Sequence, residues 1–188
     1  MIHESIIFAS EAHNGQLRKG TQLPYIIHPL EVAQILSSAH ASKEAIVAGI
    51  LHDTLEDTNV TCYDLTCRFG TEVTSLVTAC SNFCTGSWRI RKQNTITKLE
   101  TTQNQNVALI LCADKISNLR SIVYDIKAVN QKIWDRFSAP KEDILWYYEQ
   151  LGTVISKKPD LPKCLTHEFT SLYQTLQSMT QGDCIRQR

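Results

Sequence analysis

The chain carries no excess of either charge. Its 188 residues hold 19 Lys plus Arg against 19 Asp plus Glu, so the formal charge is zero. The basic stripe of a nucleic-acid binder is therefore missing. No uninterrupted apolar run is long enough to span a bilayer. No basic flank precedes an apolar stretch at Met1-Ile2-His3-Glu4-Ser5, so no signal peptide is expected. Alternating strand patterns are almost absent, as are internal repeats and low-complexity tracts. Cysteine is present but unpaired in pattern: Cys62, Cys67, Cys80, Cys84, Cys112, Cys164 and Cys184 are odd in number and lack zinc-ribbon spacing. Cys80 and Cys84, at helical spacing, read as buried reduced thiols rather than metal ligands. These absences leave a cytoplasmic protein with a small-molecule partner, and neither nucleic acid nor membrane.

What is there is helical periodicity. A hydrophobic fraction of 43% is ample for a packed core in one domain. Apolar positions predict a helix over 2–14, then a loop punctuated by Gly15, Gly20 and Pro24. Pro29 suits the first turn of a helix running to about 38, and one helix is expected over 43–57. Thr61 with Asp64 resembles a capping box opening a short helix that stops at Gly70, followed by another over 71–82. Helices over 88–102 and 104–124 come next, the second with a core face at Val107, Leu111 and Ile122. A further helix starts near Lys127, and others cover 141–157, with Trp146, Tyr147 and Tyr148, and 163–178. The last ten residues are polar and expected to fray. The fold class is all-α, with one domain over 1–158 and a C-terminal helical appendage over 159–188.

The chemistry concentrates in Leu51-His52-Asp53-Thr54-Leu55-Glu56-Asp57-Thr58, with His28 upstream and Asp114 downstream. Two imidazoles and two carboxylates suit a borderline divalent metal such as manganese, iron or zinc. Glu56 and Asp57 follow His52 and Asp53 by one turn, so on a continuous helix they share an edge. Four such groups on one edge are costly unless a cation offsets the repulsion. Metal-assisted hydrolysis of a phosphate compound is the chemistry most easily built there. Asp114 lies in an apolar helix, where a bare carboxylate is expensive, and either Lys115 or a metal supplies the cation it needs. Arg18 and Lys19 read as a solvated turn or, beside a metal site, as partners for phosphate or a purine face. Asn118 and Ser121 follow Asp114 by one and two turns and face either solvent or a nucleotide. His3, His40 and His167 read as structural or exposed.

Four separated blocks carry a resemblance. Ala12-His13-Asn14-Gly15-Gln16-Leu17-Arg18-Lys19-Gly20, Pro24 to Ala33, Leu51 to Thr58 and Ala113 to Ser121 occur in the order found in the hydrolase domain of RelA/SpoT-type alarmone enzymes. Over roughly residues 5–155 the chain resembles the small stand-alone members of the HD-domain phosphohydrolases, with no block like the synthetase half. The resemblance implies an HD-domain helical bundle in which His28, His52, Asp53 and Asp114 hold one divalent metal, usually manganese. It implies that Glu56 and Asp57 activate or orient the attacking water. Arg18 and Lys19 would contact the nucleotide, and Asn118 and Ser121 its sugar and base. The implied reaction removes pyrophosphate from the ribose 3′ position of ppGpp or pppGpp.

One block departs from the pattern. Where relatives commonly carry an acidic residue and a lysine after the serine, this chain has Ser81-Asn82-Phe83-Cys84-Thr85. Trp88-Arg89-Ile90-Arg91-Lys92 keeps a basic character able to face phosphates. Two alternatives therefore stand beside the first reading. One is an HD phosphohydrolase acting on another phosphorylated nucleotide, such as the 2′-phosphate of NADPH. The other is a nucleotide-binding regulator without turnover, which the intact acidic and histidine set argues against.

Overall fold

Four helices open on side chains that cap their own first turn. Ser42 accepts from the Ala45 N–H, Ser87 from Ile90, and Asn104 from Asn106 and Val107. Thr61 and Asp64 form a reciprocal capping box. Each cap satisfies donors that the helix itself cannot reach. In the computed structural model, which describes residues 1–181, the order is α1 (Ile2–Ala12), α2 (Ile27–Ser38), α3 (Lys43–Leu51), α4 (Thr54–Asp57), α5 (Cys62–Cys80), α6 (Trp88–Thr101), α7 (Gln105–Val129), a 3₁₀ segment (Asn130–Arg136), α8 (Lys141–Lys157) and α9 (Lys163–Gln181). Among the described residues, extended pairing is confined to one isolated antiparallel bridge between Leu17 and Pro24. The fold is all-α.

The central helix is α7, which packs against α2, α3, α5, α6 and α9. Val107, Ile110, Ala113, Ile116, Leu119 and Ile122 are all buried along it. Such burial around most of its circumference marks a core helix rather than a surface one, and it places Asp114 deep in the bundle. Gly49 lets α2 close onto α3, because a Cβ there would lie 2.4 Å from Leu36 Cδ1. The last helix, α9, sets Leu165, Phe169 and Leu176 into the core against α7 and α8.

Two boundaries differ from the sequence reading. The helix expected over 43–57 breaks at His52 and Asp53, with α3 stopping at Leu51 and α4 restarting at Thr54. Thr54 Oγ1 donates to the Leu51 carbonyl at 2.7 Å, and His52 Nδ1 meets the Gly49 carbonyl at 2.8 Å. Side chains thus take carbonyls that a continuing helix would offer to its own N–H groups. Glu56 and Asp57 consequently sit on a separate short helix, turned relative to His52. The second difference lies in α7, which does not stop near 124 but runs to Val129 and tightens directly into the 3₁₀ segment at Asn130, so the separate helix expected from near Lys127 does not form. Val123 and Ile126 remain buried, so the apolar face continues. Gly70, with φ of 84°, puts the expected break inside α5. The fraying expected at the end falls mostly outside the described residues, as does Cys184. The other six cysteines are free, with Cys80 buried and Cys84 partly so.

Candidate active site

Asp114 comes from the middle of α7, His28 from the first turn of α2, and His52 with Asp53 from the corner between α3 and α4. Their ligand atoms converge. His28 Nε2 lies 3.3 Å from Asp114 Oδ1 and 3.6 Å from Asp53 Oδ2. His52 Nε2 lies 3.1 Å from Asp53 Oδ2 and 3.9 Å from Asp114 Oδ1. His28, His52 and Asp114 are buried, and each offers a ligand atom within 4.8 Å of the others.

The outer partners fix both rings. The Ser117 hydroxyl donates to Glu31 Oε2 at 2.7 Å, so its oxygen accepts the His28 Nδ1–H at 2.9 Å. His52 Nδ1–H donates to the Gly49 carbonyl. Both Nε2 atoms therefore point into the cluster, and the buried His52 Nε2 has no aligned hydrogen-bond partner. Lone pairs facing two carboxylates repel unless a cation lies among them, so the donor set fits a divalent metal. A proton can meet the same demand. Burial opposes charge on His52, but Asp53 beside it holds the imidazole up to about 9. Burial keeps His28 low.

Glu56 and Asp57 flank this cluster. Tyr25 donates its hydroxyl to Asp53 Oδ2 at 2.5 Å and reaches Asp57 Oδ2 at 3.2 Å. Burial, with Asp53 next, keeps that hydroxyl protonated and so a donor. Glu56 Oε1 accepts the Asn82 backbone N–H at 2.7 Å. Partial burial raises both acids, against the Asn82 hydrogen bond at Glu56. Gln16 Nε2 donates to the Asp57 carbonyl at 2.6 Å, which ties α4 to the N-terminal loop.

A cavity of about 260 Å³ opens beside the cluster. Arg18, Lys19, Asn118 and Ser121 all line it. Lys92, Lys115 and Arg136 add charge, and Trp88, Phe137 and Tyr147 add aromatic surface. Asn118 joins the two regions, because it accepts from Arg18 Nη2 at 3.0 Å and donates to Asp114 Oδ1 at 2.5 Å. Lys115 pairs with Asp114 Oδ2, leaving Oδ1 toward the histidines. Burial, with Lys115 next, pushes the Lys92 ammonium down to about 8. Arg136 is held by Asp125 at 2.6 Å. It packs so close to Gly20 (φ +72°) that a Cβ there would lie 2.4 Å from its side chain.

Several residues in this arrangement carry no separate signal in the sequence. Tyr25 and Ser117 lie within the resembling blocks, but their partners appear only once α4 and α2 are in place. Of the cations at 89–92, Lys92 reaches the cavity. Arg89 instead pairs with Asp143 and stacks on Trp146, and Arg91 holds the Gly86 carbonyl. His3, His40 and His167 are exposed.

Comparisons with known proteins place the chain among relatives of similar sequence and fold. The family profile described as HD domain matches residues 5–145. A "GTP pyrophosphokinase" of Myxococcus xanthus is 37% identical over 130 residues, covering 65% of this chain and 17% of its own length. A "guanosine-3′,5′-bis(diphosphate) 3′-pyrophosphohydrolase" of Vibrio cholerae is 36% identical over 126 residues, covering 64% of this chain and 18% of its own. The chain thus spans less than a fifth of these curated relatives. The crystal structure of lmo0812 from Listeria monocytogenes EGD-e superposes with a TM-score of 0.73 at 33% identity, covering 79% of this chain and 97% of that one. A structure titled as a metazoan ortholog of SpoT that hydrolyzes ppGpp superposes with a TM-score of 0.76 at 24% identity, covering 92% and 93%.

Proposed function

The chain belongs to the HD domain family, and from that premise we propose that it is a metal-dependent phosphohydrolase. The reaction we assign is removal of the 3′-pyrophosphate of ppGpp or pppGpp, giving GDP or GTP. The observation that carries this reading is the meeting of two imidazole Nε2 atoms and two carboxylates beside a cavity lined by cations. Relatives named for guanosine-bis(diphosphate) pyrophosphohydrolysis support the substrate.

His28, His52, Asp53 and Asp114 would hold one divalent ion, manganese in this reading. When bound, such an ion polarises a phosphoryl oxygen and acidifies water. Glu56 and Asp57 take or steer the proton of the attacking water, and their burial makes them better bases than free carboxylates. Tyr25 keeps Asp57 and Asp53 in register through one hydroxyl. Arg18, Lys19, Lys92 and Arg136 offset phosphate charge in the cavity, while Asn118 and Ser121 meet the sugar and base. Trp88, Phe137 and Tyr147 offer flat apolar surface to a purine. A cytoplasmic location goes with this reading, and the free described cysteines suit a reducing compartment. Among the described residues no helix is long and apolar enough to cross a membrane.

The test is product analysis after mixing manganese-loaded protein with ppGpp, with Asp53→Ala as control. Pyrophosphate and GDP are expected from the parent and neither from the control. A metal-loaded parent that releases no pyrophosphate overturns the substrate, and phosphate release from NADPH in a parallel assay would then identify the alternative. Retained turnover in metal-depleted Asp53→Ala protein overturns the metal chemistry.

A further inference from the structure

Helix α9 begins beyond residue 145, where the family match ends, yet it closes a hydrogen-bonded chain that starts at His28. Glu168 on α9 takes Arg120 of α7 through Nε at 2.6 Å and also through Nη2. The Nη1 of the same guanidinium donates to Glu31 Oε1 of α2 at 3.1 Å. The other oxygen of Glu31 accepts the Ser117 hydroxyl at 2.7 Å, and Ser117 accepts from His28 Nδ1 at 2.9 Å. Three helices thus share one network ending on a proposed metal ligand.

We propose that Glu168 and Arg120 are positioning residues for the metal centre, setting Glu31 and, through Ser117, the His28 ring. The proposal rests on reading His28, His52, Asp53 and Asp114 as a metal site, and is independent of which phosphate compound is cleaved. One planar guanidinium is divided between two carboxylates. Glu31 therefore keeps enough negative character to take the Ser117 hydrogen, which leaves the Ser117 oxygen turned toward His28. Without Glu168 the whole fork falls to Glu31 and competes with that hydroxyl. The His28 Nδ1–H then loses an oriented acceptor, and its Nε2 loses basicity and aim.

Holding α9 in place does not explain the pair. Phe169 and Leu176 are fully buried and Leu165 nearly so, which anchors the helix by apolar contact. Arg120, Glu31 and Glu168 are about a third exposed at 35%, 29% and 32%, where isolated ion pairs add little stability. What the network adds is geometry.

The experiment titrates metal-free parent, Glu168→Gln and Arg120→Lys with manganese by calorimetry, beside thermal melts of the metal-free forms. We expect roughly tenfold weaker manganese binding in both variants, the low end for outer partners of a ligating histidine, with melting temperatures of the metal-free forms within about 2 °C of the parent. Unchanged affinity in both variants would overturn the proposal alone. So would a loss of affinity that appears only with a collapse in metal-free melting, because that marks a structural anchor. A parent that binds no divalent ion would overturn the metal reading, and this proposal with it.

Discussion

The two histidines of the cluster are supported in opposite ways. His52 leans on the carbonyl of Gly49, three residues back, at a corner that Thr54 closes onto Leu51. His28 leans on Ser117, 89 residues away, and behind it on Glu31, Arg120 and Glu168. The support of the His52 ring is made by a single stretch of chain. That of His28 exists only when α2, α7 and α9 have packed. A local support ties ligand position to local backbone, whereas a distant support ties it to the whole bundle.

The largest effect expected short of losing a ligand comes from the acids on the local side. Glu56→Gln and Asp57→Asn should each lower kcat by about 10²–10⁴, the range for a lost general base, while manganese content stays at the parent level. Glu56 and Asp57 stand on α4, beyond the corner that carries His52 and Asp53. That separation predicts chemistry and metal binding to be separable here. If both variants turn over like the parent, the water-handling role is wrong. If they lose metal, the acids belong to the ligand set.

On the distant side, Ser117→Ala should weaken manganese binding by about 10–100-fold. Ser117 is 1% exposed and small, so alanine fits its space and the metal-free fold should melt near the parent temperature. Equal affinity in parent and variant would show that His28 holds its orientation by packing alone, and the contrast between the halves would vanish.

How much of this was legible follows the same division. The all-α class is read from periodicity, because α7 and its neighbours repeat apolar residues at helical spacing. His52, Asp53, Glu56 and Asp57 lie within one short stretch, so their association is visible before any folding. The break between α3 and α4 is not, because it depends on two side chains capturing carbonyls rather than on a Gly or Pro. The continuation of α7 past 124 escapes because Tyr124 and Asp125 interrupt the local pattern, although Val123 and Ile126 on either side are buried. Ser117, Glu31, Arg120 and Glu168 are ordinary polar residues on helix surfaces until three helices meet. Asn82 is the informative exception within the unusual 81–85 loop. Its backbone N–H holds Glu56, and its side chain bonds the Arg91 carbonyl, so the altered loop keeps an acid in place without an added charge.

Proton competition gives a continuous effect, of similar size only when summed over two pH units. Burial disfavours the His52 cation, but Asp53, followed by Asp114, outweighs it and holds the group up to about 9 in the metal-free protein. His28 is lowered by burial and carries no proton to displace near neutrality. The sign follows directly: an ion entering the site must displace one proton below about 9 and none above it. Manganese affinity measured by calorimetry should therefore rise about tenfold per pH unit from about 7 to 9 and then level off. A flat profile over that range would mean that His52 is already neutral, and that the corner presents a ready lone pair.

The smallest effect tests the corner itself. Thr54 is fully buried, and its hydroxyl donates to the Leu51 carbonyl where α3 ends. Thr54→Val keeps the shape and removes one hydrogen bond, at a cost of about 1 kcal/mol, or roughly 2–4 °C in melting temperature for a chain of this size. Manganese affinity should stay within about threefold of the parent, because the His52 bond to Gly49 survives and the backbone on both sides is packed. The pattern is then the reverse of Ser117→Ala: stability moves and affinity does not. Should Thr54→Val weaken manganese binding as much as Ser117→Ala, one hydroxyl on the local side would govern ligand position as strongly as the whole distant network. The local half would then be no more self-sufficient than the other.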